Sequence, residues 1–137
     1  MTMEPAIDLK VSPEEYLQGE LIAETKHEYY YGEVYAMAGA SRVHVLITSN
    51  MTGLLWQHLR GNKCSAYSSD MKVGIDEDNV YFYPDVLVSC DERNESGKPD
   101  DHVIYSPIII IEVLSESTEA YDRGEKFRLY RKISSLR

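Results

Sequence analysis

The chain has 137 residues, 43% of them hydrophobic and 27% charged, which suits one globular domain and excludes a disordered chain. Its net charge of −9 excludes a broadly basic surface of the kind that binds nucleic acid non-specifically. Carboxylates gathered around a metal ion, or a local basic patch inside an acidic total, remain compatible with that balance.

The segment Met1 to Lys10 lacks the apolar core of a signal peptide and reads as a loose arm. No apolar run approaches the ~20 residues of a membrane span, so the cytoplasm is the expected location. Cys64 and Cys90 show no metal-type spacing and are expected to be buried, reduced thiols.

Taken along the chain, Ser12-Pro13-Glu14-Glu15 is a capping box with proline at the first helical position, so a helix is expected from Pro13 to about Thr25. Aromatic and β-branched residues on both sides of Gly32 predict a hairpin with strands near 27–31 and 33–38. Val43, Leu46, Ile47, Met51, Leu54, Leu55 and Leu59 recur at helical spacing between a capping Ser41 and a terminating Gly61. Three strands should follow. They are Ser65 to Ile75, Val80 to Ser89 after an acidic turn at Asp76-Glu77-Asp78-Asn79, and Ile108 to Leu114. The charged stretch Asp91 to Asp101 between the last two reads as a solvated loop. The run Ile108-Ile109-Ile110-Ile111 has the look of a strand buried on both faces. Ser115 to Thr118 then caps a final helix over about Glu119 to Ile133. Helices and strands in this order predict a single domain over 1–137, with one sheet and helices packed on it.

Two carboxylates stand out. Pro84 inside an expected strand implies a bend, which re-aims Asp85. Glu112 is appended to an apolar run, where a carboxylate must be paired, protonated or bound to a cation. On adjacent strands the two could share Mg²⁺ or Mn²⁺, the ions that favour carboxylate and water ligands. Read singly they have plainer roles: Asp85 as a turn cap, Glu112 in an ion pair with an arginine. Asp70, on the preceding strand, is either an accessory ligand or an exposed strand-end residue. Glu33 follows the turn glycine and is a further accessory candidate. His44 is a base, a phosphate donor or a solvated helix-start histidine.

Five ordered blocks carry a resemblance: the run from Tyr31 to Ser41, Ser69-Asp70, Tyr83-Pro84-Asp85-Val86, Ile111-Glu112-Val113-Leu114-Ser115, and Tyr121-Asp122-Arg123-Gly124-Glu125-Lys126. Together they look like the Uma family of restriction-endonuclease-like proteins, within the PD-(D/E)xK nuclease superfamily, across nearly all of residues 12–137. The resemblance implies a restriction-endonuclease-like α/β (α+β) fold with a mixed central sheet flanked by helices. It also implies a Mg²⁺- or Mn²⁺-dependent endonuclease acting on nucleic acid, with DNA as the expected substrate. Asp85 and Glu112 fall on the family's metal-ligand positions. Leu114 stands where the motif has its lysine, and Lys126 on the following helix is the substitute the family pattern implies. Lys126 also has Asp122 one helical turn earlier, a pair worth only ~0.3–0.5 kcal/mol. Tyr130, one turn beyond Lys126, either holds a phosphate or edges the core. In the family a further strand follows the motif around Arg131 to Arg137, where this sequence stops; a missing strand leaves a sheet edge open, so a homodimer or larger oligomer is expected. The alternative to an enzyme is a catalytically degenerate member that binds a partner or oligomerises, which Leu114 and the net charge favour.

Overall fold

The computed structural model describes residues 10–90, 102–115 and 122–137. Residues 1–9 of the expected N-terminal arm, the loop at 91–101, and residues 116–121 with the expected start of the final helix lie outside the described residues. The elements are α1 (Pro13–Ile22), β1 (His27–Tyr30), β2 (Glu33–Ala36), α2 (Arg42–Leu59), β3 (Ser65–Tyr67), β4 (Lys72–Ile75), β5 (Val80–Phe82), β6 (Val86–Ser89), β7 (Val103–Ile104) and β8 (Pro107–Ile111). A π-helical turn (Asp122–Lys126) then leads into the short helix α3 (Phe127–Tyr130).

The local signals act as their chemistry dictates. Ser12 accepts from the Glu15 amide and the Glu15 carboxylate accepts from the Ser12 amide, closing the capping box of α1. Ser41 caps α2 by accepting from the His44 amide. Tyr31 and Gly32 both adopt positive φ, at 45° and 92°, and this tight turn joins β1 to β2.

Where one long strand was expected, the chain makes two. Ser65 to Ile75 divides into β3 and β4, and Val80 to Ser89 divides into β5 and β6 at Tyr83-Pro84-Asp85. Proline has no amide to give a ladder, so the strand breaks there and its halves join different sheets. The result is a five-stranded sheet in the order β2-β1-β5-β4-β7 and a three-stranded sheet in the order β3-β6-β8. β4 and β7 run parallel and the other pairs antiparallel, so the expected mixed sheet exists, bent across two ladders.

β8 corrects a second expectation. It lies at an edge of its sheet and is only partly buried, with Ile109 39% exposed. The strands buried throughout are β4, β5, β6 and the two-residue β7. Val73, Val80, Phe82, Leu87, Leu129 and Tyr130 form the main core. Tyr16 of α1 stacks on Tyr29 and Tyr81, with ring centroids 5.0 and 5.4 Å away, and this docks α1 on the opposite side of β1 and β5.

The cysteines are also corrected. Cys64 and Cys90 form a disulfide, with Cα atoms 4.0 Å apart, and no free thiol is left. Ser65 pairs with Ser89 in the antiparallel β3–β6 register, which sets the residues just beyond them face to face. Linear spacing cannot reveal that.

Candidate active site

The break at Pro84 places Asp85 just before β6, and the β6–β8 register pairs Val86 with Ile111. One step further along the ladder, Asp85 meets Glu112 and Val113. The Asp85 amide donates to Glu112 Oε1 at 3.3 Å, and the Val113 amide donates to Asp85 Oδ2 at 2.7 Å. The two carboxylates therefore lie side by side through backbone pairing. Their side chains are 15% and 14% exposed, at the floor of a cleft.

Lys126 closes the group from the other side. It ends the π-helical turn, a local widening of the helix that often marks functional positions. Its ammonium lies 3.3 Å from Glu112 Oε2 and 3.2 Å from Glu28 Oε2, almost completely buried, with the Phe82 ring 4.9 Å away. The Tyr130 hydroxyl donates to Glu112 Oε2 at 2.6 Å. Glu112 is thus held by three groups from three segments.

His44, in the first turn of α2, presents Nε2 3.3 Å from Asp85 Oδ2 and 3.0 Å from the Val113 carbonyl. A carbonyl only accepts, so Nε2 carries a hydrogen and cannot itself be a metal ligand. In this position His44 fixes the Asp85 carboxylate.

Glu28 was missed in the sequence. β1 turns Tyr29 toward the tyrosine stack and Glu28 to the opposite face, where it is 1% exposed. Its Oε2 accepts from the Tyr83 amide at 2.8 Å and from Lys126. Its Oε1 is buried with no hydrogen-bond partner among the described residues. Burial pushes the Glu28 carboxyl above the usual carboxylate range, although Lys126 and the Tyr83 amide pull it back. Burial likewise raises Asp85, and neighbouring Glu112 adds to the rise against the pull of Val113 and His44. The signal for Glu28 existed: a carboxylate among strand-forming tyrosines is as anomalous as one after an isoleucine run.

Two expected accessory residues stand apart. Glu33, five residues along the hairpin, pairs with Lys10 at 3.1 Å and with the Tyr35 hydroxyl. Asp70 lies at the cleft rim, its side chain 88% exposed and 3.0 Å from Lys26.

The donor chemistry fits a divalent ion. Glu28 and Glu112 pair with the one ammonium and Asp85 lies beside Glu112, so the three carboxylates leave two formal negative charges in a largely desolvated space. Among the described residues no three His, Cys, Asp or Glu side chains form a ready-made ligand cluster.

Known proteins resemble this chain as a whole. An uncharacterized protein of Synechocystis sp. is 48% identical over 121 residues, covering 88% of this chain and 62% of that protein. A second from the same organism is 38% identical over 122 residues, covering 89% of this chain and 68% of its own length. The chain therefore spans about two thirds of the length of these relatives. A crystal structure described as a putative nuclease belonging to DUF820, from Anabaena variabilis, shares the fold with a TM-score of 0.65 and 18% identity, over 85% of this chain and 66% of that one. Among the described residues no helix is long and apolar enough to cross a membrane. The model of the Uma2 family, described as "Putative restriction endonuclease", matches residues 13–137, so the segments that build this carboxylate and lysine group all lie within the match, and the chain belongs to the Uma2 family.

Proposed function

We propose that the chain is a divalent-metal-dependent endonuclease that hydrolyses phosphodiester bonds of nucleic acid, with DNA as substrate. The observation that carries this reading is the meeting of Asp85, Glu112 and Lys126 from three separate segments at one cleft floor. Asp85 and Glu112 would hold Mg²⁺ or Mn²⁺ through their unshared oxygen lone pairs. When bound, the ion supplies water activation near neutral pH and offsets charge on the phosphate.

The protein groups do the rest. His44 and the Val113 amide fix the Asp85 carboxylate, and Tyr130 and Lys126 fix that of Glu112. Lys126 keeps a positive charge beside the carboxylates, where it can orient the attacking water and stabilise negative charge building on the phosphate. The water oxygen bonds to phosphorus, one phosphorus–oxygen ester bond breaks, and a proton reaches the departing oxygen. Lys126 thereby takes over what Leu114, at the usual lysine position, cannot do. The competing reading, a degenerate binding module, rests on Leu114; a buried ammonium 3.3 Å from Glu112 weighs against it.

The test is a cleavage screen on single- and double-stranded DNA and RNA with Mg²⁺ or Mn²⁺, beside Asp85→Ala. Cleavage should fall at least roughly a hundredfold in the variant, since losing even an outer partner of a metal site costs 10–100-fold. Circular dichroism should show an intact fold. Metal-dependent cleavage surviving in Asp85→Ala would defeat the assignment, and calorimetry showing no Mg²⁺ or Mn²⁺ binding would favour the binding module.

A further inference from the structure

The cleft is larger than the chemistry at its floor requires. It has a volume of about 1280 Å³ and follows one side of α2. His44, Thr48, Thr52 and Trp56 line it at every fourth position, with small residues Ser49 and Gly53 between them. Trp56 is the sole tryptophan of the chain and is 60% exposed. The Arg60 guanidinium lies 5.2 Å from its ring centroid. A large exposed indole in a cleft continuous with the carboxylates offers a flat face on which a planar ligand can stack.

We propose that this cleft is a track for single-stranded nucleic acid, with Trp56 and Arg60 as a platform on which a base stacks. The inference rests on the nuclease reading for the identity of the ligand. Two observations narrow it to a single strand, and a third sets the spacing. Every base has a π-face, so an exposed indole backed by a guanidinium offers sequence-tolerant stacking. In a duplex those faces are covered by neighbouring base pairs.

The second observation is charge. Among the described residues that line the cleft the basic side chains are Lys26 and Lys126, against Glu24, Asp70, Asp85 and Glu112. Duplex binding draws its affinity from many phosphate contacts, which this lining does not supply. Stacking adds affinity without them.

The third is distance. Twelve residues of α2 separate His44 from Trp56, an axial span of about 18 Å. At about 3.4 Å per stacked nucleotide the platform would hold a base about five nucleotides from the reacting phosphate, and fewer if the strand is extended.

Trp56, as the only tryptophan, reports on its own contact. The experiment titrates the full chain, in chelator to prevent cleavage, with an oligothymidylate of about ten nucleotides and with a duplex of the same length. Indole emission should be quenched by the single strand, which should bind more tightly than the duplex. Trp56→Ala, followed by fluorescence anisotropy of a labelled oligothymidylate, should weaken binding roughly ten- to a hundredfold, and Trp56→Phe should restore most of it. Single-strand binding that leaves the emission unchanged, or equal affinity in Trp56→Ala, would overturn the proposal. So would an emission that shifts with protein concentration alone, which would put the indole in a contact between copies of the chain. A single strand that binds through Trp56 without being cut in metal would uphold this inference and defeat the nuclease reading; cutting without involvement of Trp56 would do the reverse.

Discussion

Lys126 is the residue on which the site turns. It lies between Glu28 and Glu112 with its side chain only 4% exposed, at the cleft floor. Removing one partner from such a group leaves the others buried and uncompensated, so the site is held together by charges that each need the rest. The raised carboxyls give a pH signature. Glu28 and Asp85 bind protons more readily in the folded chain than at their ordinary values of 4.5 and 3.8. Above those values the native state holds more protons than the unfolded chain, so stability falls as pH rises. Glu15, Glu33, Asp76 and Glu125 are lowered instead, and their opposite contribution is confined to more acid conditions. In metal-free buffer the melting temperature should therefore drop as pH rises above about 4.5, and Asp85→Asn should flatten the dependence. A melting temperature that climbs over that window would contradict the stated origin of the shifts.

At the scale of elements, the break at Pro84 does the most. It divides β5 from β6, sends them to different sheets, and leaves Asp85 at the junction, where the β8 register brings Glu112 alongside. The close approach of β4 to its surroundings depends on Gly74. A Cβ added there would lie 2.4 Å from Tyr105 Cε1 and 3.2 Å from Tyr81 Cε1. Gly74→Ala should cost about 1–3 kcal/mol through overpacking. Thermal unfolding should show a drop of several degrees, and an unchanged melting temperature would mean that Tyr105 moves aside freely. The helical pattern in α2 was legible because its apolar spacing is long and regular. Its packing was not: Val43, Leu46, Ile47 and Leu54 belong to that pattern yet stay exposed, and Thr48 is the one buried residue of the helix.

At the scale of the molecule, the chain is tied across its smaller sheet. The Cys64–Cys90 disulfide closes a sequence separation of 26 residues, which by loop-closure entropy stabilises the fold by about 3 kcal/mol. The chain purified without reductant and then denatured should react with no thiol reagent, and dithiothreitol should lower its melting temperature. Two reactive thiols per chain in the unreduced sample would count against the bridge. The bent pair of sheets and the flanking α2 leave one long cleft between them, and the carboxylate group lies at its floor rather than on an open face.

The sequence alone determined the features that act over a few residues. The capping box of α1, the serine cap of α2, the hairpin turn, the apolar period of α2 and the anomaly of a carboxylate after an isoleucine run all follow from nearest-neighbour chemistry. It also marked Asp85, Glu112 and Lys126 as candidates through their family positions. Only the tertiary structure decided which upstream glutamate joins them. Glu28 and Glu33 occupy the same hairpin, and nothing local separates them. The pairing of β1 with β5 buries Glu28 against Tyr83 and Lys126, while the turn end leaves Glu33 to Lys10. The disulfide followed the same logic, because strand register, not spacing along the chain, brings its two cysteines together.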